Sequence, residues 1–90
     1  MGEDREDILS NLVTFSTFIL SLNTAALVHL GEIPDPVTKK KEVNLTLAKQ
    51  TIDTLEMLKA KTQGNLTPDE EKLLQTILYE LKLKFLKIVE

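Results

Sequence analysis

The stretch ILSNLVTFSTFILSLNTAALVHLG, residues 8–31, carries no formal charge over 24 residues. That is longer than the roughly 20 residues a bilayer span needs, yet it is studded with hydroxyls and amides. On a helical wheel at about 100° per residue, Ser10, Thr14, Thr17, Ser21 and Thr24 fall in one narrow stripe. Ile8, Leu9, Leu12, Val13, Phe15, Phe18, Ile19, Leu20, Leu22, Ala26 and Leu27 fill the rest of the circumference. Such an apolar arc is wider than one partner helix can cover. A helix of this kind is central to a bundle, buried in an oligomer, or associated with a membrane, and the remainder of the chain decides which.

Working outward, the residues before the stretch are Gly2, Glu3, Asp4, Arg5, Glu6 and Asp7, a net negative run where a signal peptide would be basic. Export by that route is not expected. Myristoylation requires Ser or Thr at the sixth position, which Glu6 occupies. A membrane span is disfavoured as well, because Asn11, Asn23 and His29 join the five aligned hydroxyls and each amide needs a partner in hydrocarbon. Asn23 also falls inside the apolar arc beside Leu20 and Leu27, where a buried amide can fix helix register at some expense in stability or simply reach a helix backbone or solvent.

After the stretch comes a loop from Gly31 through Pro34 and Pro36 to Lys39, Lys40 and Lys41. Gly31 predicts a left-handed cap that closes the first helix, and each proline drives its predecessor, Ile33 or Asp35, toward extended backbone. Asn44 is the expected N-cap of a second helix, in which Leu45, Ala48, Ile52, Leu55 and Leu58 recur at helical spacing. Gly64 and Asn65 end it, after Lys59 and Lys61 have set positive charge against its dipole. Thr67-Pro68-Asp69-Glu70 then combines a hydroxyl cap, proline at the first helical position and a glutamate placed to return a hydrogen bond. In the third helix, Leu74, Leu78, Leu81, Phe85 and Ile88 keep four-three spacing, while Tyr79, Leu83 and Leu86 form a second apolar row. Leu81 to Lys87 also alternates as a strand would, but no second strand pattern exists to pair with it.

The predicted fold is therefore all-α, one domain over residues 1–90 with helices at about 8–30, 45–62 and 68–88, arranged as a three-helix bundle or helical hairpin. A chain of 90 residues buries only about two-thirds or less of its unfolded surface. Together with the two apolar rows of the third helix, that predicts a homodimer built on the first and third helices. A net charge of −3 argues against nucleic-acid binding, and the absence of cysteine fits a cytoplasmic protein.

Several motifs resemble a known family. Phe15-Ser16-Thr17-Phe18, Ala26-Leu27-Val28-His29-Leu30-Gly31-Glu32 and Pro34-Asp35-Pro36 are similar to its opening signature. Leu47-Ala48-Lys49-Gln50-Thr51-Ile52-Asp53 and Gly64-Asn65-Leu66-Thr67 are similar to its second half. The family is a small bacterial one, known as domain of unknown function eighteen forty-four. The resemblance implies a compact helical protein in bacteria with no assigned activity, and it transfers no functional residues. Thr38-Lys39-Lys40 stands where the family has a Thr-Gly turn.

No equipment for catalysis is legible. His29 is the sole histidine and Tyr79 the sole tyrosine, and no phosphate loop, nucleophile elbow or paired-histidine motif is present. Gathered at the helix end, His29, Glu32 and Asp35 would make an acid–base or metal cluster, but a histidine in a last helical turn more often answers the helix dipole. Asp69, Glu70 and Glu71 read in the same way as first-turn charges. Asn44-Leu45-Thr46 and Asn65-Leu66-Thr67 match the glycosylation sequon but serve better as caps and turns. Lys39, Lys40 and Lys41, with Lys82, Lys84 and Lys87, read as solvated charge rather than a phosphate or lipid site. No enzyme activity, cofactor or metal is expected. The expected role is an interaction or scaffold module, with a peripheral membrane protein lying on its first helix as the alternative. The loop Glu32, Ile33, Pro34, Asp35, Pro36 and Val37, which two prolines hold stiff and which offers two apolar anchors among acids, reads either as a spacer that sets the angle between helices or as the place where a partner binds.

Overall fold

The computed structural model describes residues 13–90 and folds them into three helices: α1 (Phe15–His29), α2 (Leu45–Lys61) and α3 (Pro68–Val89). Each helix packs against both others, so the architecture is a three-helix bundle. Among the described residues there is no strand, only an isolated antiparallel bridge between Leu30 and Val43. The alternating segment Leu81 to Lys87 is helical and lies within α3.

Among the described residues, α1 opens on a cap at Thr14. Thr14 has extended backbone, φ −133° and ψ 164°, and its side chain accepts the Thr17 N–H at 3.0 Å. The Thr17 hydroxyl in turn accepts the Thr14 N–H at 3.0 Å, so two otherwise orphaned donors are satisfied reciprocally. Within the expected helix over 8–30, the described residues hold α1 at Phe15–His29, closed at its start by this Thr-Thr capping box. Ile8, Leu9, Ser10, Asn11 and Leu12 lie outside the described residues.

At its other end α1 closes as Gly31 predicts. The Gly31 N–H donates to Val28 O at 3.0 Å and the Glu32 N–H to Leu27 O at 2.9 Å, the paired bonds of a Schellman cap. Gly31 sits at φ +77°, and a Cβ there would meet Val43 Cγ2 at 2.9 Å, so glycine is required twice over. Asn44 caps α2 by accepting the Leu47 N–H at 3.0 Å. Thr67 and Glu70 form the capping box of α3: Glu70 Oε1 accepts the Thr67 N–H at 2.9 Å, and Thr67 Oγ1 accepts the Glu70 N–H at 3.2 Å.

Three short stripes meet in the core: Ile19, Ala26 and Leu30 from α1 and its cap, Ala48, Ile52 and Leu55 from α2, and Leu74, Ile77, Leu78 and Leu81 from α3. Phe15, Leu22, Leu27, Leu58 and Phe85 pack around them. The hydroxyl stripe of α1 faces solvent, with Ser21 donating to Phe18 O at 2.7 Å and Thr24 to Leu20 O at 3.2 Å. These hydroxyls are satisfied by their own helix and require no partner. Asn23 is half-buried at the edge of the core face.

Candidate functional site

The loop nominated from sequence is a fastened structure. Leu30 and Val43 bridge its two ends, and the Asn44 N–H donates to His29 O at 2.7 Å. Inside it, the Asp35 N–H donates to Lys40 O at 2.9 Å and Asp35 O accepts the Lys39 N–H at 2.8 Å. The Asp35 carboxylate accepts the N–H groups of Val37 at 2.7 Å and Thr38 at 3.1 Å. Those two bonds, with a weaker pull from nearby His29, hold its carboxyl below the usual carboxylate value against a small opposing effect of burial. Lys39 takes φ +64°, a left-handed conformation that a side chain with a Cβ adopts under strain.

Within the nominated stretch, Ile33 is half-buried, Val37 is 86% exposed, and Pro34 and Pro36 lie at the surface. Of the two apolar anchors, Val37 alone stands free in solvent. Glu32 reaches Lys84 of α3 at 3.6 Å, an exposed pair that ties the loop to the bundle with little free energy. His29 is half-buried at the end of α1. Among the described residues no three His, Asp or Glu side chains gather in a way that can hold a metal ion.

The second candidate is the outward face of α3. Its inner row fills the core, whereas Tyr79, Leu83 and Leu86 are 66%, 43% and 53% exposed. They fall on successive turns and make one continuous apolar stripe. Beside Leu86 a groove of about 240 Å³ opens between α2 and α3, floored by Ile52 and Phe85 and lipped by Lys49, Asp53 and Lys82. Lys82 pairs across it with Glu56 of α2. A second groove of about 400 Å³, with Glu56, Lys59 and Glu71 at its rim, lies between the end of α2 and the start of α3. On α1, Phe18 and Leu20 remain exposed on opposite flanks. Among the described residues no helix is long and apolar enough to cross a membrane.

The sequence already marked Tyr79, Leu83 and Leu86. It missed the internal fastening of the loop, because the bonds that Asp35 makes depend on the turn's geometry and carry only a weak Pro-Asp-Pro signal. No curated protein and no solved structure matches the chain. A family model does match, over residues 12–87, which takes in all of α1 and α2 and nearly all of α3. The chain therefore belongs to the family described as Domain of unknown function (DUF1844).

Proposed function

We propose that the protein is a non-catalytic interaction module of the bacterial cytoplasm that assembles as a homodimer through α3, with one flank of α1 contributing at the edge. The observation that carries this reading is the stripe of Tyr79, Leu83 and Leu86, three large apolar side chains in a row on a helix whose opposite face is already in the core. Scattered exposed apolar residues are ordinary, but a contiguous stripe that includes an aromatic marks an association surface. A small bundle gains most from covering it, since so little of its own surface is buried on folding. The loop around Val37 is left as the surface for a different protein, held in shape by the bonds of Asp35 and therefore losing little entropy on binding.

Light scattering coupled to size exclusion tests the reading at micromolar concentration in detergent-free buffer. A dimer mass supports it. A monomer mass at full helicity refutes it, and a species that is soluble only in detergent replaces it with membrane attachment.

A further inference from the structure

The outward face of α3 carries more than three apolar residues. Lys72, Thr76, Tyr79, Leu83, Leu86 and Glu90 recur at alternating spacings of four and three, the a/d seam of a coiled coil, and all six are exposed. The two ends of the seam carry opposite charge. The flanks of the helix are polarised in the opposite sense to the seam, with Asp69, Glu70, Glu71 and Glu80 in the first part and Lys82, Lys84 and Lys87 in the last. Lys82 and Lys84 are engaged by Glu56 and Glu32, while among the described residues neither Lys72 nor Glu90 takes part in an ion pair.

From this pattern we infer that the occupant of the seam is α3 of a second copy, running antiparallel in a register centred on Leu81. This rests on the self-association proposed above and adds its geometry. In that register Tyr79 packs against Leu83 of the partner subunit, Thr76 against the partner's Leu86, and Lys72 meets the partner's Glu90, each contact occurring twice by symmetry. The acidic start of each helix lies along the lysine-bearing end of the other, and the two helix dipoles oppose. A parallel pair sets Lys72 against the partner's Lys72 and Glu90 against the partner's Glu90, and stacks acid on acid and lysine on lysine along the rest of the helix. Charge therefore selects the antiparallel arrangement.

The chain has no cysteine, so introduced thiols report unambiguously. Thr76→Cys and Leu86→Cys are prepared separately, then each alone and an equimolar, subunit-exchanged mixture are treated with a short thiol cross-linker. Lys72→Cys and Glu90→Cys, both at exposed sites that leave the apolar contacts intact, form a second set. In the antiparallel register identical sites lie about 15 Å apart along the axis for the first set and about 27 Å for the second, at about 1.5 Å rise per residue. Covalent dimer is expected in both mixtures at several times the yield of any single variant. Linkage of each variant alone at the yield of the mixture means a parallel pair and overturns the inference while leaving self-association standing. No linkage in either set, with wild-type protein still of dimer mass, means another face is used and also overturns it. Wild-type protein of monomer mass overturns both the inference and the reading beneath it.

Discussion

Replacing Gly31 by alanine separates two demands that the structure makes on one position. Gly31 and Gly64 both have positive φ, +77° and +85°, so alanine at either incurs the left-handed penalty of about 1–2 kcal/mol per residue. Stiffening of the unfolded chain returns about 0.4–1 kcal/mol in each case, leaving a net loss near 1 kcal/mol. Around Gly64 nothing lies within 4 Å of an added Cβ, so the loss ends there. At Gly31 the Cβ meets Val43 Cγ2 at 2.9 Å. Val43 is β-branched, with few χ1 wells to escape into, and its backbone is held by the bridge to Leu30. Overpacking of this kind adds about 1–2 kcal/mol, so Gly31→Ala is expected to destabilise by about 2–3 kcal/mol. Urea titration followed by circular dichroism, at one fixed protein concentration, reads the difference as a midpoint shift at least twice that of Gly64→Ala. Adding Val43→Ala to Gly31→Ala should recover the contact contribution and leave only the backbone strain. Equal shifts for the two glycines, or no recovery from Val43→Ala, refute the reasoning.

The remaining expectations concern the core and the loop. Leu55→Ala, at a fully buried site where all three helices meet, should destabilise by about 2–5 kcal/mol in the same titration. Lys39→Gly should raise stability by up to about 1 kcal/mol, since it removes left-handed strain at the cost of a freer unfolded chain. The Asp35 carboxyl has a folded pKa below its unfolded value, so its contribution is fully present above the unfolded value and fades as pH falls through the folded one. NMR titration should find the depressed value, and Asp35→Asn should remove that part of the acid dependence; a carboxyl titrating at or above its ordinary value contradicts the loop's geometry.

What was legible in the chain was local chemistry with a short range. Thr67-Pro68-Asp69-Glu70 reads directly as the start of α3 because cap, proline and glutamate act within one turn. Asn44 and Gly31 are equally direct, each satisfying orphan groups of its own helix end. The start of α1 was hidden because its box uses Thr17 in place of the usual Glu or Gln, and because Thr14 and Thr17 also belong to a hydroxyl stripe that continues toward Ser10. Ile77 falls outside the four-three row of Leu74, Leu78 and Leu81, yet it lies beside Leu81 on the wheel and is buried. The contact of Val43 with Leu30 and Gly31 joins residues far apart in the chain and has no strand pattern to announce it. For the candidate site, the outward row of α3 was visible as periodicity, whereas the shape of the loop had to come from its fastening by Asp35.

The central claim is that α3 uses one face to fold the protomer and the other to join two protomers. Leu83→Glu tests it most directly, because Leu83 lies in the outward stripe and makes no part of the core. The measurement is mass by sedimentation equilibrium, with helicity recorded on the same samples, at a concentration where wild-type protein has twice the protomer's 10.2 kDa. The account predicts a Leu83→Glu monomer of unchanged helicity. A variant that keeps the dimer mass, or one that loses its helicity along with its dimer, contradicts it.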